Sequence, residues 1–157
     1  MHSWVLLLYK VPSEPSARRV YVWRKLKRLG ALLLHDAVWV LPATSFSVEQ
    51  MQWLAVEIRE MEGSAMVWEA RLSLAGQEDA LVRQFINQVD TVYREILGGL
   101  ERSGADLAAL SRRFHLAQTQ DYFRSPLSAE VREALERARD HAADGEQSAV
   151  ERGGSET

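Results

Sequence analysis

The stretch 31-ALLLHDAVWVLPAT-44 constrains this chain more than any other. It is almost wholly apolar, yet longer than an ordinary strand of about 5–6 residues and far shorter than the roughly 20 a membrane span needs. Only His35-Asp36 interrupts it. Two polar residues between runs of strand formers read as a turn or corner, so the stretch divides into strands of about 31–35 and 37–42. A corner-forming Asp36, its carboxylate capping backbone N–H groups, is expected there.

The flanking segments extend this pattern. Residues 3–11, SWVLLLYKV, form a buried strand ended by Pro12. The turn SEPS follows, with Ser16 as N-cap of a helix through Leu29. Val22, Leu26 and Leu29 share one face of that helix, with Trp23 on its margin, and Gly30 suits its C-terminal cap. A second helix fits 47–62, capped by Ser47, with Met51, Leu54, Ile58 and Met61 as its apolar stripe. Gly63 stops it, and 65-AMVWEARL-72 is a fourth strand. The order β-α-β-β-α-β predicts an α+β domain over residues 1–75. It would be a ferredoxin-like, four-stranded antiparallel sheet with both helices on one face. A doubly wound fold would alternate strand and helix strictly. Trp4, Trp23, Trp39, Trp53 and Trp68 fall one per element, the pattern of rings packing a core.

Beyond Gly76 the period becomes helical throughout. Leu81, Phe85, Val89, Tyr93 and Ile96 carry one helix to about residue 101, with Gly98-Gly99 near its end. Segments 106–123 and 128–141 follow, the latter capped by Ser128. These make a helical extension over 76–142 packed on the sheet domain. Residues 143–157 are polar, almost without large apolar side chains, and read as a disordered tail.

Function is read first from charge. Net charge is −3, but residues 1–34 carry seven cations against Glu14 alone, leaving −9 for the remainder. Lys10, Arg18, Arg19, Arg24, Lys25, Lys27 and Arg28 all lie within or just before the first helix, which has no acid to neutralise them at i,i+4. Such a helix meets an anion, and double-stranded DNA is the first candidate partner, with Tyr21 and Trp23 offering ring faces. About five engaged cations would give affinity a slope near about −4.5 against log salt. Arg112 and Arg113 are a smaller basic point that could extend the same surface. Phosphate contacts of this kind position a protein without specifying a base sequence. The alternative is a module that senses a small oxyanion or binds a protein, with Arg18 and Arg19 in the first helical turn holding the oxyanion.

Other chemistry is excluded by what the chain lacks. There is no cysteine, hence no disulfide or thiolate site. His2, His35, His115 and His141 have no metal-ligand spacing. No Gly-rich phosphate loop or nucleophile elbow is present, so neither an enzyme nor a cofactor is expected. The apolar run Trp4 to Tyr9 has no basic residues before it and no small-residue cleavage site after it. It is therefore not expected to act as a signal peptide, and a soluble, cytoplasmic protein is expected.

The blocks K-V-P, R-x-x-x-W-R-K-L-K and D-A-V-W-V-L-P, with LAGQEDALVRQF and ALSRRFHLAQTQDYF, resemble the N-terminal region of the chromate-resistance regulator family ChrB over about residues 3–140. The resemblance implies a chromate-responsive, DNA-binding transcriptional regulator of the bacterial cytoplasm, with operator DNA and chromate or a similar oxyanion as partners. Family members continue into a second domain implicated in the chromate response, which the resemblance does not cover. More distantly the N-terminal half resembles the ferredoxin-like domain of PaaX-type repressors and the small nuclease-like subunit of CRISPR adaptation complexes, which implies a homodimer. That nuclease's metal-binding Asp corresponds to Lys10, which cannot ligate Mg²⁺, so the nuclease reading is set aside.

Overall fold

The computed structural model describes residues 2–153. Its elements run β1 (Trp4–Lys10), α1 (Ser16–Leu29), β2 (Leu32–Leu34), β3 (Val38–Pro42), α2 (Ser45–Glu60), β4 (Ser64–Ala70), α3 (Gln77–Leu100), α4 (Leu107–Thr119) and α5 (Leu127–Gly153). The chain forms two compact units, divided between Phe85 and Ile86.

In the first unit the four strands make one antiparallel sheet in the order β2-β3-β1-β4. This is the α+β, split-βαβ arrangement the alternation of periods predicts. Side chains alternate across β1, so Val5, Leu7 and Tyr9 share a face with Leu41, Trp39 and Leu33. That face is covered by the buried stripes of the helices: Val22 and Leu26 on α1, Met51, Leu54 and Ile58 on α2. Trp4 lies on the other face, where its ring stacks on Phe85 of α3 at 5.7 Å. Leu81 and Phe85 are buried. For that reason the first unit extends to Phe85 rather than ending at residue 75.

Local signals place the ends of the elements. His35 and Asp36 both adopt left-handed backbone, φ 51° and 57°, and close a two-residue turn with Ala37 N–H donating to Leu34 C=O at 3.1 Å. Among the described residues no backbone N–H is capped by the Asp36 carboxylate; the backbone conformation alone makes the corner. Ser16 is the first residue of α1, not its cap. The N-cap is Pro15, which supplies no side-chain hydrogen bond. Likewise Thr44, not Ser47, caps α2. Thr44 Oγ1 accepts from Ser47 N at 3.0 Å, and Ser47 Oγ accepts from Thr44 N at 2.8 Å while donating to Pro42 C=O at 2.6 Å. A serine three residues inside the helix closes this reciprocal box, and periodicity alone places the helix start too late. Gly63 sits where a Cβ would lie 2.5 Å from Lys10 O and 2.8 Å from Ile58 Cγ2.

The second unit has its own core of Val89, Tyr93, Ile96, Phe114, Ala117, Val131 and Leu135. Asp106 caps α4 by accepting from Ala109 N at 3.0 Å. A polar knot holds the turn before α5: Tyr93 donates its hydroxyl to Asp121 Oδ2 at 2.8 Å, Ser125 N donates to Asp121 Oδ1 at 2.9 Å, and Ser125 Oγ bonds Asp90. α5 starts at Leu127, so Ser128 lies inside it, and it continues to Gly153. Residues 143–153, expected as part of a disordered tail, are therefore helical although wholly exposed. Six of these eleven residues are Ala, Glu, Gln or Arg, and an established helix propagates through good helix formers without burial. The remaining part of that expected tail, 154–157, lies outside the described residues.

Two outcomes follow from this packing. Gly63→Ala should cost about 1–3 kcal/mol in urea unfolding, because the backbone oxygen of Lys10 cannot move aside without disturbing β1. Burial pushes the Tyr122 phenol up to about 12, and burial with the Asp121 bond raises that of Tyr93 as well. Both groups ionise in the unfolded chain before the folded one. Their contribution is complete below about pH 10 and is lost as pH rises through the raised folded values. Unfolding midpoints between pH 8 and 11.5 should fall, and Tyr122→Phe should flatten that fall.

Candidate nucleic-acid interface

The seven clustered cations of residues 10–28 come from β1 and α1, and helical spacing sorts those of α1 into three strips. On the flank toward α2, Arg18 is half-buried and already engaged. Its guanidinium donates to Met61 C=O at 2.9 Å and lies 3.7 Å from Glu62. Tyr21, on the same flank, donates its hydroxyl to Glu57, which pushes its phenol up, and Lys25 Nζ stands 5.6 Å from the Tyr21 ring centroid. Arg24, Lys27 and Arg28 form the outward strip, all exposed. Lys27 and Arg28 occupy the last turn, where the helix dipole favours positive charge. The third strip carries Arg19 and Trp23, one helical turn apart.

Arg19 and Trp23 face a cleft of about 560 Å³ between α1 and the sheet. Tyr9, Trp39 and Leu33 form its floor, and Lys10 closes the end of β1. Asp36, at the β2–β3 turn, is its acidic lining group. Burial raises the Tyr9 phenol, with the Trp39 indole opposing, so Tyr9 stays a neutral hydroxyl at physiological pH. Among the described residues Lys10, Arg19 and Arg24 form no ion pair.

The seven basic positions of the first helix region therefore split into the flank toward α2 with an engaged Arg18 and Lys25, an outward face and a cleft. Arg112 and Arg113 belong to α4 in the second unit. There Arg112 is exposed and Arg113 pairs with Glu95. Arg18 and Arg19 do not converge on one point, because the Met61 carbonyl draws Arg18 to the end of α2.

Tryptophan placement departs from the expected core pattern. Trp4 and Trp39 are buried, but Trp23, Trp53 and Trp68 are 51%, 60% and 53% exposed. Trp23 and Trp53 lie on the outer flanks of their helices, and Trp68 sits beside Leu6 on the sheet face away from α1 and α2. Only the tertiary register separates structural rings from presented ones. Among the described residues no group of three or more His, Asp or Glu is arranged to hold a metal ion. No helix there is long and apolar enough to cross a membrane.

The family model described as Protein ChrB, N-terminal, matches residues 19–108. The chain belongs to this family. The matched span starts within the basic helix and contains Arg19, Arg24, Lys25, Lys27 and Arg28, the entire β2–β3 hairpin, α2, β4 and α3. Protein ChrB of Cupriavidus metallidurans strain CH34 is 29% identical over 107 residues, covering 68% of this chain and 32% of that protein. The chain thus spans about a third of the length of this ChrB relative. No solved structure matches it.

The split between core and presented rings has a direct check. Trp4→Ala should cost about 3–5 kcal/mol in chemical denaturation, as truncation of a buried ring does, whereas Trp23→Ala should cost under about 1 kcal/mol.

Proposed function

We propose that this chain is a non-catalytic regulatory module of chromate resistance that contacts the DNA backbone through the outward face of α1. The observation that carries the reading is the strip Arg24, Lys27 and Arg28, exposed together on a helix whose sequence contains no acid. Guanidinium and ammonium groups neutralise phosphates and release counterions, and a helix face of this kind lies along a duplex backbone. Lys25 and Arg19 flank the strip and would add contacts as the helix settles. Membership of the ChrB N-terminal family supports a regulatory role, as the family resemblance implies. A cytoplasmic location, operator DNA as partner and a homodimeric state belong to the same reading.

This arrangement favours duplex backbone over a small oxyanion at the helix start. An oxyanion site there needs Arg18 and Arg19 to converge, and Arg18 is committed to Met61 and Glu62. Arg112 and Arg113 are proposed as secondary contacts, Arg113 the weaker because it is shared with Glu95.

Fluorescence anisotropy with duplex DNA from the chain's own upstream region, beside an unrelated duplex, tests this across a salt series. Three outward cations predict a log–log slope near about −2.7, rising to about −4.5 if Arg19 and Lys25 engage. Lys27→Ala with Arg28→Ala should shrink the slope by about 1.8 while leaving the fold intact. Preference for the upstream duplex makes the module a sequence reader; equal binding makes it a positioning element. Absence of binding to either duplex at low salt sinks the proposal.

A further inference from the structure

The cleft beside α1 has a chemistry that backbone contact does not use. Its floor is aromatic, formed by Tyr9 and Trp39, and the half-exposed Trp23 makes one wall. Two cations, Lys10 and Arg19, lie at its β1 and α1 edges without ion pairs among the described residues. The hairpin turn presents Asp36 at the same end of the sheet as Lys10, by the register that pairs Leu7 with Trp39, held there by left-handed backbone at His35 and Asp36.

Each component narrows the ligand. Two cations that form no ion pair among the described residues call for a phosphate or carboxylate. An aromatic lining is superfluous for a small tetrahedral anion but suits a planar ring, since stacking on an exposed Trp such as Trp23 is worth about 1–3 kcal/mol per base. An aspartate is an acceptor at neutral pH and calls for an amino or hydroxyl donor on the ligand. The volume of about 560 Å³ falls in the range of small-molecule pockets. A base inside a duplex cannot reach these rings, because both its faces are already stacked.

We propose that the cleft binds a single unstacked nucleotide. Its phosphate lies between Lys10 and Arg19, its base lies against Trp23, and an amino or ribose hydroxyl group donates to Asp36. The source of that nucleotide is either a free nucleoside monophosphate or a residue of single-stranded DNA. The proposal does not depend on duplex binding by the outward strip, and the two fail separately.

Isothermal titration calorimetry with AMP, adenosine and inorganic phosphate at low salt tests it, alongside tryptophan fluorescence. AMP should bind at least tenfold more tightly than either fragment and should quench emission, as Trp23 and Trp39 line the site. Arg19→Ala and Trp23→Leu should each weaken AMP at least tenfold in calorimetry, with unchanged circular dichroism, while Arg59→Ala on α2 should leave it unaltered. Competition with the single strand dA10 assigns the source: displacement of AMP points to a DNA strand, and its failure points to a free nucleotide. AMP binding no tighter than phosphate, or unaffected by Trp23→Leu, overturns the proposal, as does no AMP binding at all.

Discussion

Strand β1 is hydrogen-bonded along both edges, to β3 from Trp4↔Pro42 to Leu7↔Trp39 and to β4 from Trp4↔Ala70 to Lys10↔Ser64. Because side chains alternate, this double register decides which residues meet the helices and which do not. Val5, Leu7 and Tyr9 turn toward α1 and α2; Trp4, Leu6 and Leu8 turn away. A slip of one residue would exchange the two sets and bury the wrong face. Tyr9 and Trp39 can floor one cleft because each lies on the α1 side of its strand.

The consequences pass from the sheet to the charge pattern. With Val22 and Leu26 pinned against the sheet, α1 has no rotational freedom, and its cations are dealt to fixed directions. Arg18 falls toward the end of α2 and is captured by Met61 and Glu62. Arg24, Lys27 and Arg28 fall outward, and Arg19 falls over the cleft. A surface ion pair such as Arg18–Glu62 contributes little stability, typically under about 1 kcal/mol, yet it removes one cation from the anion-binding set. One basic helix therefore offers two surfaces of different chemistry: an extended strip suited to a polyanion, and a cleft suited to a ring.

The second unit is organised differently. Its apolar core comes from three helices, and the buried Asp90 and Ser125 are satisfied by each other, so their burial leaves no orphaned polar group there. Beyond Leu135 nothing on α5 is buried, and the helix persists on local propensity to Gly153. The apolar pattern is a guide to packing, not to helix length. Hence residues 143–153 look unstructured by hydrophobicity while forming helix.

Periodicity and punctuation in the sequence determined the element order, the antiparallel α+β sheet, the His35-Asp36 corner and the concentration of cations on the first helix. These are local matters: the alternation of strands, the 3.6-residue stripe of helices and the turn residues act over a few positions. The exposure of Trp23, Trp53 and Trp68, the capture of Arg18 and the aromatic cleft were decided only by the tertiary structure. Each depends on a residue distant in sequence: Arg18 on Met61, Trp39 on Tyr9, and the helix margins on the sheet register. A side chain's type says what it can bind. Only the packing of the rest of the chain says whether it is free to do so.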